Sequence, residues 1–233
     1  MNYIWFNYEM PILEQLPDPF KEAAILLNPF IIMPIGWTDM KKKSEYEHVY
    51  PELEESIKLG KPKPWKEVMH ETGIKSYEEL AVALKTSISA LKKEFAREDL
   101  AKLLNYNLSK ELYYPREDKI SEYLIPGILE VLSSSGANSF MYSDPILDQS
   151  GELRIKDATG LEMCELAPTE IVITDEGMDY AFLSVYDSFI TLFLSKEKKI
   201  KEIINKNKWE AVICGPETYI SWYFGKIEFG SND

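Results

Sequence analysis

The sequence predicts an α+β fold, with a helical N-terminal half and a mixed, mainly antiparallel sheet that closes on a C-terminal β-α-β unit. Three observations carry this. Apolar residues recur at helical spacing in the middle of the chain, as in Leu80, Leu84, Ile88, Leu91 and Phe95, at intervals of 4, 4, 3 and 4. From about residue 138 aromatic and β-branched residues take over in short runs between turn residues, most clearly in "TEIVITDEGMDYAFLSVYDSFITLFLS" (169–195). The stretch from Phe189 to Cys214 then reads strand, basic helix, strand, the pattern of a right-handed crossover with parallel pairing.

Taken in order, residues 1–60 are punctuated by Pro11, Pro17, Pro19, Pro29, Pro34 and Pro51 and read as an irregular segment packing on the body. Within it, "PFKEAAILL" predicts a short helix, with Pro19 in its first turn and Asn28-Pro29 ending it. Residues 61–233 form a single α+β domain, with a sub-boundary allowed near 118–120. "KPKPW" (61–65) is extended, because a proline pushes its predecessor out of helical geometry. "PWKEVMHETG" is a helix ended by Gly73, and Ser76 with Glu79 makes a capping box for the next. "REDLAKLLN" continues the helical part, and "ISEYLIPGILEVLSSSG" (120–136) is a helix interrupted at Pro126-Gly127. "SFMYSD" and "GELRIKD" are short strands. "KEKKIKEIINKNK" buries Ile200, Ile203 and Ile204 as a helix, and "WEAVIC" is the last strand.

Composition bounds the function. With 233 residues, 45% of them hydrophobic and 28% charged, the chain is globular and long enough to bury a sizeable core. Its two cysteines, Cys164 and Cys214, make neither a disulfide framework nor the paired spacing of a zinc site. The opening "MNYIWFNYEM" lacks the basic and apolar regions of a signal peptide, and "AAILLNPFIIMPIG" is too short to span a bilayer. These features predict a cytoplasmic protein with no membrane contact. The net charge of −13 is concentrated: residues 119–195 carry 3 basic and 13 acidic side chains, net −10. A field of that sign repels nucleic acid and favours basic partners.

The segments "ETGIKSYEELAVALKTSISALKKEF" (71–95), "ITDEGMDYAFLSVYDSFITLFLS" (173–195) and "WEAVICGPETYISWYF" (209–224) together resemble an uncharacterised family of Bacillus-type bacteria, the YwbB-like domain of unknown function. The resemblance spans roughly residues 60–224. It implies a bacterial cytosolic protein and no particular activity, so no catalytic residues carry over.

Four groups of residues are candidates for chemistry. The leading reading is a non-enzymatic, acidic protein-interaction module of immunity or regulator type, whose contact residues are Asp175, Glu176, Asp179 and Asp187 and whose partner is a basic protein. The alternative is a helix-turn-helix regulator over residues 79–95. Its second helix, Ile88 to Phe95, presents Ser89, Lys92 and Lys93 to DNA, although the acidic chain lacks the usual basic footprint. A third reading makes Cys214 a nucleophile. Gly215 is then the cap and Pro216 the first residue of a helix whose N-terminus lowers the thiol pKa; burial of Cys214 at the end of a strand is the simpler role. Tyr219, Trp222 and Tyr223 face inward from that helix. His48 and His70 fit no metal spacing, the clustered acids lack calcium-loop spacing, and no glycine-rich phosphate loop occurs. The sequence therefore supports neither a metal nor a cofactor.

Overall fold

The structure, a computed structural model, describes residues 4–44, 46–167 and 169–224. Its centre is a seven-stranded sheet in which every neighbouring pair is antiparallel. The first strand of the chain, β1 (Glu22–Leu27), lies inside this sheet, where a helix is predicted from the sequence. The reason for the discrepancy is burial on both faces. Ala23, Ile25 and Leu27 enter one core layer while Ala24 and Leu26 enter the other, so the run is uniformly apolar and carries no alternation.

The chain then makes a smaller three-stranded sheet from β2 (Phe30–Ile32), β3 (Lys61–Lys63) and β4 (Leu112–Tyr113), with β2 in the middle. Two short helices, α1 (Trp37–Lys41) and α2 (Leu53–Leu59), fall between β2 and β3. Because β1 to β4 all precede residue 114, the N-terminal half is not a helical half. It does hold three further helices: α3 (Trp65–Thr72), α4 (Tyr77–Ser87) and α5 (Glu98–Asn107). Gly73 ends α3 at φ 78°, a left-handed value that favours glycine. The Ser76 side chain accepts from the amide of Glu79, and the Glu79 carboxylate accepts from Lys75 rather than from Ser76. Val68 of α3, Leu80 and Leu84 of α4, and Leu104 of α5 cover one face of the large sheet.

The second half of a helix-turn-helix does not form. Helix α4 ends at Ser87, Ser89 takes a left-handed φ of 61°, and Ile88 to Phe95 run through turns. Ser89, Lys92 and Lys93 are exposed on this turn, with no recognition helix to present them.

Helix α6 (Ile125–Ser134) starts where an interruption is predicted. Pro126 sits in its first turn, where the missing N–H has no intrahelical partner to lose, and residues 120–124 are not helical. Strands β5 (Ser139–Asp144) and β6 (Gln149–Arg154) form a hairpin, followed by the short helix α7 (Gly160–Glu165). Then come β7 (Val172–Asp175), β8 (Tyr180–Ser184) and β9 (Ile190–Ser195), a meander whose core face stacks Phe182 on Phe193 at 4.6 Å between ring centroids. Trp209 meets both rings edge-on. Helix α8 (Ile200–Asn207) leads to β10 (Ala211–Ile213). With Ile128 and Leu132 of α6 and Met163 of α7, Ile200 and Ile204 of α8 cover the second face.

The closing β-α-β unit differs from expectation in one respect. Strands β9 and β10 run parallel, but they do not pair: β1 lies between them and is antiparallel to both. After Cys214 the chain makes turns and a single 3-10 turn, Trp222–Phe224, with no α-helix starting at Pro216. Trp222 is buried, while Tyr219 and Tyr223 are partly exposed. Among the described residues no helix is long and apolar enough to cross a membrane.

One buried side chain ties these layers to the loop that carries the site. Asn28, fully buried just after β1, donates to the carbonyl of Lys119 at 2.9 Å and accepts from the Thr191 hydroxyl of β9 at 2.9 Å. Its own carbonyl accepts from the Trp65 indole at 2.7 Å. The loop Arg116–Lys119 is thereby fixed against the end of the large sheet where β8 turns into β9.

Candidate functional site

At that end two aspartates adopt left-handed backbone, Asp118 at φ 58° and Asp187 at φ 49°. Aspartate tolerates this conformation better than most residues because its short polar side chain bonds locally. The two turns are pinned together by a hydrogen bond from the Asp118 amide to the Ser188 carbonyl, 3.0 Å. The result is a convergence of carboxylates: Glu117, Asp118 and Asp187 each place an oxygen within 4.8 Å of the others. Asp118 Oδ1 is buried with no hydrogen-bond partner. Glu170, which precedes β7 and is 9% exposed, adds a fourth negative group within electrostatic reach of Asp118.

Two cations bear on these acids: Lys119 interacts electrostatically with Asp118, and Lys85 with all three. Lys85, near the end of α4 and 8% exposed, donates to the Asp187 carbonyl and lies 5.4 Å from the centre of the Tyr223 ring. Burial lowers its pKa, and Asp187, Glu117 and Asp118 oppose that shift. Its charge does not satisfy the acids. Burial raises the pKa of Glu117, Asp118 and Glu170 from their ordinary values. Asp118 and Asp187 add to this at Glu117, and Asp118 adds to it at Glu170. At Asp118 hydrogen bonds from the Asp187 and Ser188 backbone oppose it, while the Asp187 charge adds to it. The three convergent carboxylates could hold a cation, and at Glu117 and Asp118 burial and the neighbouring acids together outweigh the opposing charge of Lys85.

Beside the acids opens a cavity of about 270 Å³, floored by Leu183, Val185 and Leu192 and walled by Phe6, Ile4 and Ile220. Its rim is aromatic and exposed: Trp5 at 68%, Tyr8 at 46% and Tyr186 at 54%. Tyr8 joins the two features. Burial, together with Glu170, Asp187 and Asp118, pushes its hydroxyl up to about 12.

The four acids singled out in the sequence do not share a surface. Asp175, Glu176 and Asp179 sit in the β7–β8 turn, and Asp187 sits at the other end of β8, roughly 17 Å away by strand rise. Asp175 is 1% exposed and caps the hairpin, accepting from the Tyr180 amide at 2.7 Å and from the Ser135 hydroxyl at 3.1 Å. Glu176 accepts from the Ser139 amide and hydroxyl, and Asp179 pairs with Lys196 at 2.8 Å. Of the four, Asp187 alone joins the acidic convergence. Its companions Glu117, Asp118 and Glu170 escaped sequence reasoning. The one signal for the first two is the run Arg116–Lys119, four consecutive charges between apolar stretches.

Cys214 is 8% exposed at the end of β10, and burial alone pushes its thiol up to about 12. Cys164 is held at about 12 in the same way, burial first. With no helix N-terminus after Gly215, the argument for a thiolate is gone. His70 lies exposed in the last turn of α3, and His48 is exposed in the loop before α2. Neither thiol is expected to react with iodoacetamide at neutral pH in the folded chain, and both are expected to react in denaturant. Mass spectrometry of the alkylated protein checks this, and rapid native labelling of Cys214 would restore the nucleophile.

Comparison with other proteins places the chain in a family and names no activity. The chain belongs to the family described as protein of unknown function DUF2711, whose model matches residues 8–224. It is 49% identical over 223 residues to the uncharacterized protein YwbB of Bacillus subtilis strain 168, a match covering 96% of this chain and 99% of that one. No solved structure gives a significant match.

Proposed function

We propose that the chain is a non-enzymatic binding protein that docks a basic protein partner on the face formed by Glu117, Asp118, Glu170, Asp187 and the aromatic rim beside them. The observation that carries this reading is the juxtaposition of convergent carboxylates with exposed Trp5, Tyr8 and Tyr186. Bringing like charges together opposes folding, and Lys85 offsets it only in part. A cationic partner relieves the remainder. Large exposed aromatic groups next to such charge are the composition of interface anchors, while the charges steer a basic partner in. The proposal moves the contact from the β7–β8 turn to the β8–β9 turn and keeps Asp187 in it.

The test uses the full chain and a basic octapeptide of alternating lysine and arginine, followed by NMR. Two double variants change the charge equally: Asp118→Asn with Asp187→Asn, and Glu176→Gln with Asp179→Asn. Asparagine preserves both left-handed turns. The first pair is expected to weaken peptide binding about tenfold, the scale of a lost charge-assisted contact, and the second to leave it nearly unchanged. Equal weakening by both pairs means the peptide senses net charge alone, and the proposed face is then wrong.

A further inference from the structure

The cavity beside the acids has a composition that selects its occupant. Glu170 is the one charged residue among the described residues that line it, it is 9% exposed, and the Tyr186 backbone favours its ionised form. An apolar occupant would fill the walls but leave a carboxylate desolvated with no counter-charge, which is strongly unfavourable. An anion would add repulsion. The occupant is therefore a cation carried on an apolar stem.

We propose that this cavity receives a single arginine side chain of the partner, its stem against Leu183 and Val185, its guanidinium between Tyr8 and Tyr186 and facing Glu170. This rests on the docking reading above and specifies its anchor. Arginine is favoured over lysine on three grounds. Its planar head stacks on aromatic rings, and three of them form the rim. It is less strongly hydrated than an ammonium and keeps its charge when desolvated, as it must be next to a buried carboxylate. It also carries several donors in a fork, which suits the two oxygens of the Glu170 carboxylate, the one charged group among the described lining residues. A third of the site's logic lies in Lys85: it already supplies the point charge near Asp187, which leaves the Glu170 side as the place for a second cation.

The experiment titrates the full chain with acetyl-arginine amide, acetyl-citrulline amide and acetyl-lysine amide, read by chemical-shift changes at Glu170, Tyr186 and the Trp5 indole. Citrulline has nearly the shape of arginine without the charge. Arginine is expected to bind about tenfold more tightly than citrulline, the worth of one charge-assisted hydrogen bond, and more tightly than lysine. Glu170→Gln, which keeps an acceptor oxygen, and Trp5→Ala are each expected to remove most of that preference. Glu176→Gln should not. A thermal melt separates misfolding from lost binding for both variants. Citrulline binding as well as arginine, lysine binding better, or an unchanged preference in both variants overturns the inference. If the octapeptide binds through Asp118 and Asp187 but arginine amide gives no shifts, the arginine anchor is wrong and the docking face stands. If neither probe binds, both fall.

Discussion

Truncating Ile25 and truncating Leu26 to alanine are each expected to destabilise the protein by about 2 to 5 kcal/mol, the range for large-to-small substitutions at fully buried sites. Both side chains are 0% exposed. They are adjacent in sequence and yet occupy different layers, Ile25 with the α3–α5 helices and Leu26 with α6 and α8. Ile25 stands across from Leu192 and Val212, and Leu26 across from Thr191 and Ala211, so the strand is held on both edges as well. The short helix that the sequence predicts at this place would, if it lay on the surface, bury one stripe and make one of two neighbours dispensable. Equal, large losses at both positions are the mark of a central strand. Urea denaturation of the two variants measures it. A loss below about 1 kcal/mol at either position contradicts the arrangement of the sheet.

The same strand shows what could and could not be read beforehand. Strands β5 to β9, the helices α3, α5 and α8 and the final strand were legible, because turn residues bound them and each has a recognisable period or composition. Strand β1 was not. Its six residues, EAAILL, are good helix formers, and only their non-local pairing with β9 and β10 makes them extended. The parallel pairing of β9 with β10 failed for the same reason: the strand that intervenes comes from the start of the chain, some 170 residues away by sequence. The reading of residues 88–95 as a second helix rested on Ile88, Leu91 and Phe95, which continue the spacing of α4. Ser89 turns the chain instead, and Phe95 packs on Phe224.

The site was legible only at Asp187. Glu117 and Asp118 are flanked by Arg116 and Lys119, which cancel them in a charge count, and Glu170 reads as an ordinary residue ahead of a strand. What makes them a site is that Asn28 holds the 116–119 loop against the β8–β9 turn, and no local pattern encodes that contact. Charge counting put Glu170 and Asp187 in the acidic segment 119–195 and left Glu117 and Asp118 just outside it. It could not tell acids that cap a hairpin, such as Asp175, from Asp118, whose Oδ1 is buried without a hydrogen-bond partner.

Replacing Lys85 by methionine, which keeps the apolar stem, is expected to cost about 3 kcal/mol at neutral pH, the scale of removing one partner from a buried charge arrangement. The substitution leaves the Asp187 carbonyl without its donor and the three carboxylates without their internal counter-charge. Loss of packing and loss of charge are separable by pH. In the native chain Glu117, Asp118 and Glu170 titrate above their ordinary values, so the folded state binds their protons more tightly than the unfolded state. Stability from these groups is therefore greatest below the ordinary carboxylate range and is lost as pH rises through their folded values. Without Lys85 the values of Glu117 and Asp118, which it holds down, rise further. The deficit of Lys85→Met should then be largest near neutral pH and shrink as pH falls toward the ordinary carboxylate range. Asp118→Asn removes one of the repelling charges, and it should recover part of the deficit in the double variant while slightly stabilising the parent chain, by about 1 kcal/mol or less. Thermal melts of the four proteins across pH complete the cycle. A deficit that is flat with pH and indifferent to Asp118→Asn would reduce Lys85 to a packing residue, and the carboxylates around it would lose their claim to be an under-compensated site.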